Sequence, residues 1–144
     1  MKVEIQLLKN QARMPEKMSN QASGYDLFAA LSEEVAILPQ SVSLISTGIA
    51  IALPAGFEAQ IRPRSGLAFK HGIGILNSPG TIDSDYRGEV KVILYNFGNK
   101  EFKIENGMRI AQMVIAKYES PEFLQVVELG ETERGKGGFG HTGV

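Results

Sequence analysis

Apolar and polar residues alternate along most of this chain, as they do in strands that bury one face. Nine such segments predict strands, at residues 3–8, 35–38, 42–46, 49–53, 57–61, 73–76, 90–94, 110–116 and 123–129. Five prolines lie at or beside the ends of these segments, where a strand tolerates them: Pro39, Pro54, Pro63, Pro79 and Pro121. Many short strands separated by turns favour an all-β sandwich or barrel of the jelly-roll kind.

One segment, at residues 65–70, favours a short helix. Ser65 stands where an N-cap would lie, so the first backbone amides of this helix could face an anion. From Gly130 onward the chain is rich in glycine and has few apolar anchors, which cannot offset the entropy lost on ordering. We therefore predict a β-structured core over residues 1–129 and a flexible C-terminal arm over residues 130–144 of the same domain.

The composition of the chain argues against several classes of function. The 144 residues suit a single domain, and a formal net charge of −1 gives no field that would attract nucleic acid or an anionic membrane. Because cysteine is absent and His71 and His141 are the only histidines, neither disulfides nor a zinc site are expected. The first residues lack the apolar core of a secretory signal, and no apolar run approaches the ~20 residues that cross a bilayer. The expectation is a cytoplasmic protein without nucleic-acid or membrane partners.

Residues 80–89 carry the strongest chemical signal. Asp83, Asp85 and Glu89 lie there together with Tyr86 and Arg87, between two apolar runs that predict a hairpin. Two neighbouring carboxylates repel each other, which raises one pKa or requires a cation, and either arrangement suits a general base. A solvated turn would explain the same composition.

Three other segments suggest recognition of an anion. Arg62 and Arg64 precede the helix, and arginine binds phosphate oxygens in a bidentate manner, although a charged loop is the alternative. Gln112 interrupts an apolar strand face and would need a partner if buried, but an edge strand with a solvated amide fits the spacing better. In the arm, amides freed by glycine could bind an anion and Phe139 could cover a planar ligand; a disordered tail is the alternative.

In their order, five segments resemble the five motifs of the trimeric deoxyuridine triphosphatases (dUTP diphosphatases). These segments are residues 22–27, 63–68, 80–89, 107–114 and 134–143. The second, third and fifth are specific, whereas the first and fourth would be weak in isolation. Ser23 is a small departure, since the family commonly has alanine there, and no motif is missing.

The resemblance implies hydrolysis of dUTP to dUMP and pyrophosphate by water that attacks the α-phosphorus in the presence of Mg²⁺, which lowers dUTP and supplies dUMP for dTMP synthesis. Asp83 matches the base that deprotonates this water. Asp26 matches an acid linked to Mg²⁺ through water, with the metal held mainly by the triphosphate. The positions that match phosphate-binding residues are Arg64, Ser65, Gly66 and Gln112 in the core and Arg134, Gly140, His141 and Thr142 in the arm.

The same resemblance assigns selectivity for deoxyuridine to the third motif and the arm. Tyr86 matches the residue that packs against deoxyribose and excludes a 2′-hydroxyl. Phe139 matches an aromatic that stacks on uracil when the arm closes as a lid. The residues that would fit the uracil edge and exclude cytosine and thymine are Asn77, Gly80, Thr81, Ile82 and Lys91. Cytosine would leave buried polar groups unpaired, which is costly. Thymine would be excluded by shape, if the narrow hairpin cannot hold its 5-methyl group.

The family forms homotrimers of jelly-roll subunits with three active sites at subunit interfaces. By resemblance, two subunits form each pocket and the third supplies the arm. The trimer follows from the resemblance alone, whereas the all-β class also follows from the alternation of residues. Asp85, Arg87 and Glu89 receive no catalytic role and are expected to organise the turn or a subunit contact.

Two alternatives remain at this point. The related dCTP deaminases, including forms that deaminate and then hydrolyse, share the fold but activate water with a glutamate, and residues 82–86 look like the hydrolase version instead. A non-catalytic nucleotide-sensing protein of the same fold is the other alternative. Such proteins often carry an insertion, for which this chain has no room.

Overall fold

A computed structural model describes residues 1–138, within which the chain forms ten strands and one helix. The strands are β1 (Glu4–Leu7), β2 (Tyr25–Phe28), β3 (Val35–Ile37), β4 (Val42–Ala52), β5 (Phe57–Arg62), β6 (Ile73–Ile75), β7 (Gly80–Ile82), β8 (Glu89–Asn96), β9 (Phe102–Ile104) and β10 (Arg109–Lys117), and the helix is α1 (Ser65–His71). The predicted all-β class with one short helix is confirmed. In the described part of the chain, no helix has the length and apolarity that spanning a membrane would require.

Three antiparallel sheets share a single core. Their strand orders are β1-β4-β8-β6, β2-β10-β5-β7 and β3-β9. The alternation of residues decides which side chains face inward, so that in β8 Val90, Val92 and Leu94 are buried while Lys91 is exposed. Buried apolar side chains from all three sheets form one cluster. Burial of this cluster therefore holds the sheets together.

The observed strands depart from the predicted ones in three ways. Segments 42–46 and 49–53 form the single strand β4, which bulges between Ser46 and Ala50. The sequence does not predict β2, β7 or β9, which are three or four residues long. The predicted strand at 123–129 is wrong: these residues pair with no strand of the described chain, and Phe123 and Val127 are almost fully exposed.

The predicted hairpin around residues 80–89 is part of a longer connection. The flanking strands β6 and β8 do pair antiparallel, with Ile75 opposite Leu94. Between them, however, the chain contributes β7 to the other four-stranded sheet, where β7 pairs with β5. Residues 83–88 therefore pass from one sheet to the other.

Helix α1 begins at Ser65, but its N-cap is Arg64 rather than Ser65. Arg64 has an extended backbone with φ −95° and ψ 127°, and its side chain makes no capping hydrogen bond. At the other end Gly72 has a φ of 66° and donates its N–H to the Ala68 and Leu67 carbonyls. This left-handed ending is one that glycine adopts without steric cost.

A polar clasp formed by Glu89, Ser46, Gly48 and Lys9 holds the bulge of β4 against the start of β8. The Glu89 carboxylate accepts hydrogen bonds from the Ser46 hydroxyl and, at 2.9 Å, from the Gly48 amide. The ammonium groups of Lys9 and Lys91 lie 3.5 and 3.6 Å away. Burial alone would raise the pKa of Glu89, but these hydrogen bonds and the two lysines lower it overall. Folding therefore favours the ionised carboxylate.

Glu89→Gln should lower the free energy of unfolding by about 1–3 kcal/mol at neutral pH, because the polar clasp loses its charged acceptor. The pKa of Glu89 is lower in the folded protein than its ordinary value of 4.5. Its contribution is therefore complete above pH 4.5 and disappears as the pH falls through the folded pKa. Urea unfolding of both proteins from neutral pH down to acid measures the difference. The exposed Glu33→Gln is the control, and a Glu89→Gln difference independent of pH would contradict the argument.

Candidate active site

A cleft of about 430 Å³ opens where the chain passes from β7 to β8. This β7–β8 cleft is lined by Leu44, Thr81, Ile82, Asp83, Tyr86, Glu89, Lys91 and Ile93. Five of these eight residues are predicted site residues, so the structure brings them together in one cavity. Apolar walls with a few polar groups suit a flat ligand that has polar edges.

Asp83 is the residue that follows β7, and it is exposed in the cleft. Its backbone carbonyl accepts the N–H of Tyr86 at 3.2 Å, which closes a turn. Arg87 braces this turn, since its Nη1 donates to the carbonyls of Ser84 at 2.7 Å and Tyr86 at 2.9 Å. A carboxylate on a braced turn that is open to solvent can hydrogen-bond a water molecule and accept its proton.

The Tyr86 ring is held between a backbone acceptor and a glycine. Its hydroxyl donates a hydrogen bond to the Glu89 carbonyl at 3.1 Å, and 44% of the residue is exposed. A Cβ on Gly88 would lie 2.3 Å from the Tyr86 hydroxyl oxygen and 2.5 Å from Cζ. The ring can occupy this position only because residue 88 has no side chain.

A second group of predicted residues forms around Asp26, and we call Asp26, Arg64, Arg109 and Gln112 the arginine cluster. The Asp26 carboxylate, only 12% exposed, lies 3.5 Å from Arg64 Nε and 3.1 Å from Arg109 Nη1. Arg64 Nη1 also donates to the Arg109 carbonyl at 3.0 Å. One carboxylate therefore orients two guanidinium groups that approach from different elements.

Gln112 joins the cluster from β10 through a backbone contact. Its Nε2 donates to the Pro63 carbonyl at 2.9 Å. A Cβ on Gly24 would lie 2.5 Å from Gln112 Oε1, so a glycine at position 24 is what leaves room for this amide. The predicted solvated edge amide is therefore wrong: Gln112 is half-buried and bonded.

The β7–β8 cleft and the arginine cluster lie at opposite ends of β5. Ile82, which precedes Asp83, pairs with Ala59 near the start of β5, whereas Gln112 pairs with Arg62 at its end. At about 3.3 Å per residue, the chain from position 58 to position 64 spans roughly 15–20 Å. The structure thus brings the predicted residues together in two groups rather than one.

The other predicted residues lie around these two groups or outside them. Ser65 and Gly66 are exposed at the start of α1, and a Cβ on Gly66 would meet no atom within 4 Å. Asn77 packs against Gly80, with its Nδ2 3.1 Å from where a Cβ of Gly80 would lie. Arg134 is exposed and donates to the Gly137 carbonyl at 2.9 Å. The remaining predicted residues, Phe139, Gly140, His141 and Thr142, lie outside the described residues.

The side chains at this site suit a metal ion only if it is held indirectly, through water. Within residues 1–138, no three or more histidine, aspartate or glutamate side chains are grouped so that they could hold a metal ion. The contacts of both arginines with Asp26 are made to Oδ2. Because the arginines already neutralise this carboxylate, Oδ1 suits a hydrogen bond from a metal-bound water better than direct coordination.

Sequence reasoning misses Arg109, Gly88 and Glu89 as parts of the site. Arg109 carries the same signal as Gln112, a polar residue in an apolar strand. The register shift between Arg109 and Ala111, which sets how Arg109 meets β2, leaves no trace in the sequence. The contacts of Gly88 and Glu89 depend on the path of the chain between two sheets, which local patterns do not specify.

Comparison with known proteins gives one consistent family. The dUTPase family model matches residues 10–143. The chain is 59% identical to the deoxyuridine 5′-triphosphate nucleotidohydrolase of Rickettsia prowazekii (strain Madrid E) over 143 residues, which are 99% of this chain and 97% of that relative. It is 58% identical, over the same shares, to the protein of that name from Rickettsia rickettsii (strain Sheila Smith).

Solved structures agree with this similarity. A mutant dUTPase of Staphylococcus bacteriophage 80alpha, with dUpNHpp, matches with a TM-score of 0.89 and 32% identity over 99% of both chains. A mutant dUTPase of phage phi11 of S. aureus, described for the coordination of a structural Mg(II) ion, matches with a TM-score of 0.83 and 27% identity over 91% of this chain and 100% of that one. The predicted jelly-roll class is confirmed by these matches. From its sequence over residues 10–143 and from its fold, the chain belongs to the dUTPase family.

Proposed function

We propose that this protein hydrolyses dUTP to dUMP and pyrophosphate, and so lowers dUTP while it supplies dUMP. The observation that carries the proposal is the β7–β8 cleft, where Asp83 and Tyr86 meet. The relatives that are 58–59% identical to this chain are named for this activity.

Asp83 acts as the general base in this proposal. Its carboxylate takes a proton from a water molecule, whose oxygen forms a bond to the α-phosphorus. The bond between the α-phosphorus and the bridging oxygen breaks, and pyrophosphate leaves with the electron pair. Support comes from the exposure of Asp83 in the cleft and from the turn that holds it. Positioning and charge neutralisation supply most of the rate enhancement in phosphoryl transfer.

The arginine cluster binds the triphosphate. Its two guanidinium groups and one carboxylate leave one net positive charge, and Gln112 adds an amide donor. Asp26 is a positioning residue for Arg64 and Arg109, because it holds both side chains without neutralising the pair completely. At the start of α1, Ser65 and the unobstructed Gly66 let a phosphate approach the backbone closely.

Mg²⁺ would reach the site bound to the substrate. When bound, Mg²⁺ would neutralise charge on the triphosphate oxygens, which supply most of its ligands. Asp26 would hold the ion through water at Oδ1. This indirect role agrees with the two arginines that already contact Oδ2.

Selectivity for deoxyuridine arises in the β7–β8 cleft. The Tyr86 ring excludes the 2′-hydroxyl of a ribose because it fills one side of the cleft. The backbone of β7, with Asn77 and Lys91, forms the edge that matches uracil and leaves cytosine with unpaired polar groups. In the arm, Phe139 covers the base, and Arg134, Gly140, His141 and Thr142 close over the phosphates.

The active unit is a homotrimer in which each site is shared between subunits. The α- and γ-phosphorus atoms of one triphosphate are separated by two bridging oxygens, much less than the roughly 15–20 Å between the ends of β5. This separation favours a site in which Asp83 and the arginine cluster come from different chains. A second copy resolves this if its arginine cluster faces the β7–β8 cleft of the first.

The segment between β10 and the arm supports assembly independently. It exposes five large apolar side chains, Phe123, Leu124, Val126, Val127 and Leu129. An exposed apolar run of this kind marks a surface that another protein covers. Because it directly precedes residues 130–144, a neighbouring copy that covers it also receives the arm, which acts as a lid on the site.

The substrate assay tests the proposed activity. The protein should release pyrophosphate from dUTP and far less from dCTP, dTTP and UTP, and it should release no ammonia from dCTP. Asp83→Asn should bind dUTP but lose roughly 10²–10⁴-fold in turnover, because the base is absent. Asp85→Asn, which removes an exposed carboxylate from the same turn, is the matched control and should retain activity. Ammonia from dCTP, or full turnover by Asp83→Asn, would refute the assignment.

Mixed oligomers test the shared site. Asp83→Asn and Arg64→Ala should each be inactive alone. Co-expression with two different tags, followed by purification on both, should restore roughly a third of the sites, since each mixed trimer has one interface that combines an intact Asp83 with an intact Arg64. Pyrophosphate release by the doubly purified oligomer measures the recovery. Asp83→Asn co-expressed with the Asp83→Asn/Arg64→Ala double variant is the control and should stay inactive. Mixed oligomers without recovered activity would contradict the shared site.

A further inference from the structure

Gly88 lies against the phenol end of the Tyr86 side chain. A Cβ at this position would meet three atoms of that side chain at 2.3, 2.5 and 3.0 Å. These distances are well inside van der Waals contact, so any residue with a side chain at position 88 forces the ring to move. The atoms that would clash belong to a half-exposed side chain and not to the backbone, so the ring can move without disturbing the fold.

Glycine at position 88 is not required by the backbone. The residues with positive φ in the described chain include five glycines, and Gly88 is not among them. Alanine would therefore adopt the same backbone conformation without strain. The three atoms nearest to the missing Cβ all belong to Tyr86, so it is this side chain that requires glycine at position 88.

The Tyr86 side chain makes a second contact, with the backbone carbonyl of Glu89. This carbonyl accepts the Tyr86 hydroxyl at 3.1 Å. Glu89 is itself fixed by the polar clasp, through Ser46 and Gly48 of the β4 bulge. The phenol end of Tyr86 is thus held from two sides, by contact with Gly88 and by the hydrogen bond to the Glu89 carbonyl.

We propose that Gly88 and Glu89 are positioning residues that set the selectivity for deoxyribose over ribose, by seating the Tyr86 ring in the β7–β8 cleft. This inference rests on the proposed function, in which Tyr86 excludes the 2′-hydroxyl. A displaced ring leaves the space for that hydroxyl open. Discrimination between the sugars then falls, while Asp83 and the arginine cluster remain intact.

A double-mutant cycle tests the proposal. Gly88→Ala should lower the ratio of kcat/KM for dUTP to kcat/KM for UTP by about tenfold or more. In a Tyr86→Ala background, Gly88→Ala should change this ratio no further, because the ring through which it acts is absent. Tyr86→Phe, which removes only the bond to the Glu89 carbonyl, should give a smaller loss. Circular dichroism and molecular mass should show folded protein with unchanged assembly.

Gly74→Ala is the matched control. Its new Cβ would lie 3.0 Å from the Cε2 atom of Phe97, another exposed aromatic ring, on β6 outside the cleft. The nucleotide ratio should not change in this variant. An unchanged ratio in Gly88→Ala, an equal loss with and without Tyr86, or failure of Gly88→Ala to fold would each overturn the proposal.

Binding separates this inference from the activity. Calorimetry of wild type and Gly88→Ala with dUMP and UMP measures the preference for the deoxy sugar without turnover. Absence of dUTP hydrolysis by the wild type would refute the proposed function. An equal preference for dUMP in both proteins would refute only the inference that Gly88 positions Tyr86. It would leave the proposed dUTP hydrolysis unaffected.

Discussion

Strand β5 is hydrogen-bonded along both edges, to β10 on one side and to β7 on the other, and these two registers determine where the chemistry of this protein lies. The β7 register, with Ile82 opposite Ala59, sets Asp83 near the start of β5. The β10 register sets Gln112 at its end, beside Arg64. Because an extended strand cannot shorten, the backbone spans roughly 15–20 Å between position 58, opposite Asp83, and Arg64. In the proposed reaction, this separation is the reason why a second copy of the chain would complete the site.

Two glycines show how backbone positions without side chains organise polar groups in this fold. Gly24 leaves room for the Gln112 amide, and Gly88 leaves room for the Tyr86 phenol. In each case a polar side-chain atom occupies the space that a Cβ would take. Neither glycine has the positive φ that usually explains a glycine in a turn. Both are therefore explained by a neighbouring side chain.

The sequence predicts the long strands because alternation over many residues is a local signal. In β8 this alternation directly predicts the side chains that face inward, which are Val90, Val92 and Leu94. Strand β7 is not predictable in this way: its three residues pair with β5, and that pairing depends on how the sheets pack. The strand prediction at 123–129 fails for the same reason, since alternation indicates what a segment could pair with but supplies no partner.

The motifs identify the residue types at the site, but contacts between elements determine their roles. Asp26 illustrates the difference, because its motif suggests a link to a metal whereas its carboxylate holds Arg64 and Arg109. A carboxylate shared by two arginines keeps both guanidinium groups in place before a phosphate arrives, which reduces the entropy lost on binding. The same carboxylate retains one oxygen for a water molecule. Positioning of the arginines and an indirect contact to a metal are thus compatible functions of a single side chain.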